Sequence, residues 1–277
     1  GLTLDVTKGE VLGFLGPNGA GKTTTIRLLL DLIRPTSGEI RLFGLDSRRD
    51  GLETRRRIGY LPGELPFEGR QNGWELLTFL GNLRGGVGHR HIRALAERFE
   101  LDLDQPIRTL SKGNKQKVGL VQAFMHEPEL LILDEPSSGL DPLLQREFLD
   151  LVREVRNEGR TVFMSSHILA EVEDIADRVA ILREGSLVAV EDIHSLKQRA
   201  VRRMEILFDG PVPPEEFSVI PGVRDVKVDG DTLSCTVEGP VDALIKAAAR
   251  FAVISVLSRA PDLEDAFLEY YSDERGG

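Results

Sequence analysis

Nine residues near the start of the chain, Gly16-Pro17-Asn18-Gly19-Ala20-Gly21-Lys22-Thr23-Thr24, match the spacing G-x-x-x-x-G-K-[ST] and restrict the fold more than any other stretch. The apolar run Val11-Leu12-Gly13-Phe14-Leu15 ahead of them reads as a buried strand, and residues 23–32 carry apolar side chains at helical spacing. A glycine-rich loop between a buried strand and a helix N-terminus aims successive backbone N–H groups at one point, which favours an anion. Gly16, Gly19 and Gly21 let the loop curl without a clashing Cβ. Pro17, Asn18, Ala20 and Thr24 complete a cradle in which Lys22 can reach β- and γ-phosphates and the Thr23 hydroxyl can ligand Mg²⁺. An ordinary glycine-rich turn requires neither the Lys-Thr pair nor the ordered strand and helix around it.

Composition narrows what such a cradle serves. With 277 residues the chain can bury a full core and a second, smaller domain. Thirty-five Lys and Arg against 45 Asp and Glu give a net charge of −10, which disfavours nucleic acid as the main partner. The single cysteine, Cys235, can form no intramolecular disulfide and reads as an inert, packed small residue in a strand. No apolar run approaches the roughly 20 residues that span a bilayer, and the first residues lack the layout of a signal peptide. The expectation is a soluble chain with no direct lipid insertion.

Along the chain, apolar and polar residues alternate in Leu2-Thr3-Leu4-Asp5-Val6, predicting that it opens inside a sheet. Strands are predicted at 39–44, 58–62, 130–134, 161–167, 178–183 and 187–190. Helices are predicted at 74–83, 92–101, 112–125, 142–158 and 168–176. Alternating strands and helices make the fold α/β, and Leu130-Leu131-Ile132-Leu133-Asp134 has the unalternating apolar pattern of a parallel strand covered on both faces. Beyond residue 200 the texture changes to a small α+β unit. It has strands at 204–208, 223–228, 232–237 and 253–257, a hairpin turn at Asp229-Gly230, and helices at 241–250 and 263–271. The expected domains are therefore 1–200, with a helical insert at about 64–127, and 201–277.

Four later stretches, taken with the phosphate loop, resemble the ATP-binding cassette (ABC) ATPase family over roughly residues 2–190. Leu110-Ser111-Lys112-Gly113-Asn114 is similar to the family's signature, Leu130 to Asp134 followed by Glu135 resembles Walker B, Ser138-Gly139-Leu140-Asp141 the D-loop, and His167 the switch histidine. Each part is weak alone; all of them in one order are highly specific. The resemblance implies a P-loop NTPase core with an antiparallel β subdomain and a helical insert. ATP and Mg²⁺ are the implied cofactors, with Asp134 and Thr23 on the metal, Glu135 acting on the attacking water and His167 on the γ-phosphate. Ser111 is a good N-cap for the helix that follows it, and in the family Ser111, Gly113 and Asp141 belong to a surface that closes over the ATP of an opposite subunit.

Departures from the family pattern are informative. Lys112 replaces a glycine and Asn114 a glutamine, a form similar to the branch that serves ABC-2 type exporters, as is 261–268 near the C-terminus. Gly63 stands where the family carries its Q-loop glutamine, leaving Glu64 as the candidate substitute metal ligand. The family's adenine-stacking aromatic lies upstream of where this chain begins, so a truncated N-terminus is expected. The resemblance implies a cytoplasmic ATPase subunit, peripheral on the inner face of the membrane, which pairs as a homodimer or heterodimer of nucleotide-binding subunits and docks on integral membrane permease subunits. A soluble ABC ATPase acting on nucleic acid or ribosomes is the alternative; one phosphate loop, no coiled coil and the acidic balance disfavour it. A GTP switch fails because Asn114-Lys115-Gln116-Lys117 lacks the aspartate of an N-K-x-D base reader. His89 and His91 have an H-x-H spacing but no supporting ligand cluster, and read as solvated residues at a helix start.

Overall fold

A computed structural model describes residues 1–65, 69–199 and 202–259, in two compact units, Gly1–Val190 and Glu191–Gly277. In the first unit the elements run β1 (Val11–Leu15), α1 (Lys22–Leu29), β2 (Arg41–Leu42), β3 (Leu45–Asp46), α2 (Gly51–Arg56), β4 (Ile58–Leu61), α3 (Gly73–Leu83), α4 (His89–Arg98), α5 (Lys112–Phe124), β5 (Leu130–Asp134), α6 (Pro142–Asn157), β6 (Thr161–Ser166), α7 (Leu169–Ile175), β7 (Arg178–Arg183) and β8 (Ser186–Asp192). Six strands form one sheet in the order β4-β5-β6-β1-β7-β8. β1 lies parallel to both β6 and β7, and β5 parallel to both β4 and β6. Every residue of β1, β5 and β6 is buried, which is why none of the three sequences alternates. β7 and β8 are joined by Glu184-Gly185, both at positive φ, as a two-residue hairpin requires.

Two parallel pairings position the site. Leu15 at the end of β1 is in register with Ser166 of β6, and Asp134 at the end of β5 with Ser165. The carboxyl ends of β1, β6 and β5 are thus brought side by side, the edge at which open α/β sheets bind ligands. Leu12, Phe14, Ile26, Ile132, Phe163 and Ala180 form the core beneath that edge, with the Phe14 and Phe163 rings 5.1 Å apart.

The predicted opening strand is absent: residues 1–7 form none. Alternation stabilises a strand only where a neighbouring strand supplies hydrogen bonds and a covering surface. Here Leu4 alone packs on the core, while Leu2 and Val6 stay exposed. The strand predicted at 39–44 contracts to the two-residue β2, paired antiparallel with β3. Phe43 and Gly44, both at positive φ, make the turn between them.

The second unit begins with α8 (Ile193–Arg199) and continues through β9 (Arg202–Phe208), α9 (Glu215–Ser218), β10 (Val223–Asp229), β11 (Thr232–Val237), α10 (Asp242–Ala248) and β12 (Val253–Arg259). Its four strands form an antiparallel sheet in the order β10-β11-β9-β12. One face carries Met204, Ile206, Phe208, Leu233, Cys235 and Val237 against Phe217 of α9 and Leu244, Ala247 and Ala248 of α10. Burial there pushes the Cys235 thiol up to about 11, so it is an unreactive core residue. The hairpin between β10 and β11 turns on Gly230-Asp231, one residue later than predicted. The predicted helix at 263–271 and the family-like stretch 261–268 lie outside the described residues.

Candidate functional site

Gly21 starts α1 with φ +107°, a left-handed conformation that a Cβ would strain, and no side chain caps the helix. No acidic residue occupies its first turn either. The N-terminal N–H groups of α1 therefore point into the loop 16–21 with nothing of the protein's own to satisfy them, as an anion site requires. Lys22 folds back over this loop: its Nζ donates to the Gly16 carbonyl at 2.7 Å and lies 3.2 Å from Glu135 Oε1. Its side chain is only 6% exposed, so it is an embedded cation rather than a surface lysine.

Glu135 follows β5 with φ +51°, an uncommon conformation for a residue with a side chain, costing about 1–2 kcal/mol. Its backbone N–H donates to Ser165 Oγ at 3.1 Å, and its carbonyl accepts from the Ser138 N–H at 3.1 Å and from Gln116 Nε2 at 3.3 Å. The turn swings the carboxylate between two partners, Lys22 on Oε1 and His167 Nδ1 on Oε2 at 2.6 Å. A carboxylate only accepts, so Nδ1 carries the proton in this contact, and the ring of His167 is half-exposed.

Asp134 is wholly buried. Ser165 Oγ donates to its Oδ1 at 2.6 Å, whereas Oδ2 has no hydrogen-bond partner. An orphaned, buried carboxylate oxygen is costly unless a cation or donor completes it. It faces a cavity of about 310 Å³ lined by Thr23, Arg27, Tyr60, Pro62, Gly63, Glu64 and Glu135. A Cβ on Gly63 would come 3.2 Å from that Oδ2, so the glycine leaves room beside it. Burial, together with the Asp134 charge, raises the Tyr60 hydroxyl above its ordinary range and keeps it a neutral donor. An oxygen-rich corner of Thr23, Asp134 and Glu64 suits a hard divalent cation such as Mg²⁺.

A second cavity, about 530 Å³, opens between the phosphate loop and α5 and is lined by Asn18, Glu64, Lys112, Lys115, Ser138 and His167 among others. Ser111 and Gly113 do not line either cavity. Ser111 is the N-cap of α5, accepting from the Asn114 N–H at 3.2 Å, and Gly113 presses on the next loop so closely that a Cβ would meet the Gly139 carbonyl at 2.7 Å. Asp141 uses Oδ1 to cap α6 through the N–H groups of Leu143 and Leu144. The structure thus gathers Gly16 to Thr24, Asp134, Glu135 and His167 into one site and leaves Ser111, Gly113 and Asp141 on an adjoining surface. His89 stacks edge-on against Trp74, and among the described residues no group of three or more His, Cys, Asp or Glu side chains gathers at one point.

Sequence reasoning missed the hydroxyls and amides that hold the site. Ser137 Oγ and Ser166 Oγ both donate to Glu171 Oε2, at 2.7 and 3.1 Å, tying the loop after β5 to the end of β6. Gln116 Nε2 donates to the Pro136 carbonyl at 3.0 Å as well as to Glu135. Of these groups only Ser165-Ser166 stand out in sequence, as a polar end to an otherwise apolar strand.

A sequence profile described as ABC transporter matches residues 1–138. The bacitracin transport ATP-binding protein BcrA of Enterococcus faecalis is 34% identical over 281 residues, covering 100% of this chain and 91% of that protein. The Nod factor export ATP-binding protein I of Rhizobium meliloti (strain 1021) is 34% identical over 279 residues, covering 97% of this chain and 82% of that protein. A solved ATP-binding subunit of an ABC transporter superposes with a TM-score of 0.63 at 32% identity, covering 69% of this chain and 81% of that one. With relatives this similar over nearly their whole length, and with the phosphate cradle, the buried aspartate and the Lys22–Glu135–His167 array already in place, the chain belongs to the ABC transporter family as an ATP-binding, ATP-hydrolysing subunit.

Proposed function

We propose that this subunit drives export: two nucleotide-binding subunits close over ATP and, docked on membrane permease subunits, convert hydrolysis into transport. The observation that supports the shared-site reading is that Ser111, the exposed N-cap of α5, and Gly113 line neither cavity at the cradle of their own chain; in this reading they cover the ATP of a second chain. Export is favoured by the relatives named for bacitracin transport and Nod factor export and by the Leu110-Ser111-Lys112-Gly113-Asn114 form of the signature. Among the described residues no helix is long and apolar enough to cross a membrane, so permease subunits supply the path. The unit from Glu191 onward takes an accessory part in assembly or partner choice, and residues 64–127 carry the docking surface.

In this reading the N–H groups of the loop and of α1 hold the phosphates, and Lys22 exchanges Glu135 for the β- and γ-phosphates. Glu135, released from Lys22 but still hydrogen-bonded by His167, accepts a proton from a water that attacks the γ-phosphorus while the bond to the bridging oxygen breaks and ADP leaves. His167 holds the Glu135 carboxylate through Nδ1 and turns its remaining ring nitrogen to the γ-phosphate. Thr23 and Asp134, with Glu64 beside them, would hold Mg²⁺, which supplies neutralisation of phosphate charge. Sedimentation of Glu135→Gln with and without Mg-ATP tests the scheme: an ATP-dependent dimer is expected, and a protein that binds ATP yet stays monomeric at high concentration overturns the shared site.

A further inference from the structure

Glu135 holds its carboxylate in place from a backbone conformation that residues with side chains seldom adopt, φ +51°. Such a turn persists only where its surroundings over-determine it. Its N–H is held from β6 by Ser165 Oγ, but its carbonyl and that of Pro136 share a side-chain donor from another layer of the fold, Gln116 Nε2, at 3.3 and 3.0 Å. Gln116 is 3% exposed, near the beginning of α5 and five residues after the Ser111 cap. Three residues before it on the same helix, Gly113 rests against the carbonyl of Gly139, with no room for a Cβ between them. The first turns of α5 are thus fastened to the segment 135–139 at two points, one of them the backbone of the residue that bears the reacting carboxylate.

We infer that Gln116 is a positioning residue that couples the placement of the signature helix α5 to the orientation of the Glu135 carboxylate. This rests on the reading of Glu135 as the base. A helix whose N-terminus is drawn toward nucleotide on a partner subunit would move the amide of Gln116, and through two carbonyls the turn at Glu135. The amide itself touches neither nucleotide nor water, so its contribution enters only through that carboxylate. Removing the donor leaves the cradle, Lys22 and Asp134 as they are, while the turn loses one of the three hydrogen bonds on the backbone N–H and carbonyl of Glu135.

The test is a double-mutant cycle in the full chain, with Gln116→Met, of similar length and without a donor, and Gln116→Glu, isosteric and unable to donate when ionised. Single-turnover hydrolysis and ATP affinity are measured in the parent and in Glu135→Gln. The expected result for either variant is a fall in hydrolysis of about 10-fold or more in the parent, ATP affinity within about threefold, and no further fall on the Glu135→Gln background. An equal fall in both backgrounds, an affinity loss matching the rate loss, or an unchanged rate overturns the inference. If neither variant folds, Gln116 is a core residue and the inference is likewise overturned. Full turnover by Glu135→Gln alone sinks the reading of Glu135 as base, and with it the positioning role; a slow Glu135→Gln with an unaffected Gln116→Met sinks the positioning role alone.

Discussion

Lys22 Nζ and Glu135 Oε1 lie 3.2 Å apart, so the cation of the phosphate cradle and the carboxylate expected to handle water neutralise each other before nucleotide arrives. Phosphate must therefore displace a carboxylate from Lys22, and the same event frees Glu135. Lys22→Ala should abolish turnover at saturating Mg-ATP. Because Glu135 would lose its counter-charge, the variant should also be less stable by about 1–2 kcal/mol, yet still fold. Steady-state kinetics beside a denaturant melt checks both halves; retained turnover would contradict the assignment.

Glu135→Gln keeps the shape of the side chain and its contact with His167 but cannot accept a proton. Turnover should drop by roughly 10²–10⁴-fold with ATP still bound. Ser111→Arg on that background should prevent the ATP-dependent dimer, since bulk and a tethered cation would replace the small cap of α5, while nucleotide affinity of the isolated subunit stays as it was. Light scattering after size exclusion, alongside a nucleotide titration, separates the two effects.

Asp134 Oδ2 is buried and without a partner, which costs the free protein stability that a divalent cation can restore. Mg²⁺ should raise the melting temperature of the parent in the presence of ATP. Asp134→Asn preserves the acceptor for Ser165 and removes the charge; without metal it should melt at the same or a higher temperature than the parent, and Mg²⁺ should no longer stabilise it. A parent melt indifferent to Mg²⁺ would remove Asp134 from the metal site.

Far from the nucleotide, His126 sits against the Ile58 carbonyl, which its Nε2 meets at 3.1 Å, with Nδ1 buried and unpartnered. Burial, helped by the Arg84 charge, lowers its pKa to about 4 from an unfolded value of 6.5. The unfolded chain therefore binds the proton first: the contribution of neutral His126 is complete above pH 6.5 and is lost as pH falls toward 4. The loss is on the order of 1–3 kcal/mol. Denaturant melts at pH 7 and pH 4.5 should show a smaller difference for His126→Gln than for the parent; equal differences would count against the histidine as the titrating group.

Much of the site is legible in sequence because it depends on short-range spacing. The cradle is a single loop, Asp134 and Glu135 close a strand whose buried pattern is visible, and His167 ends another. What escaped is what depends on contacts between distant segments. The donation from Gln116 to Glu135 crosses from a helix to a turn, and Glu171 of α7 joins the loop after β5 to the end of β6, so no local pattern announces either. The same reasoning explains residues 1–7: their alternation is genuine, but a strand needs a neighbour, and only the fold decides whether one is there. The enclosure of Lys22 is likewise invisible in sequence, because the loop that encloses it is itself the product of folding.

The order of strands also sets a schedule for synthesis. β1, which leads into the phosphate loop, has hydrogen-bonded neighbours only at Thr161–Ser166 and Arg178–Arg183, more than 140 residues further along the chain. Closing so long a loop is entropically slow, and contacts of this separation delay folding. A ribosome that has released the Gly16 to Thr24 loop has still to make both partner strands before that loop has a wall to rest on. The phosphate loop thus acquires its shape only after both strands that flank β1 have been made, and until then an emerging chain bears the loop sequence without the wall that holds it.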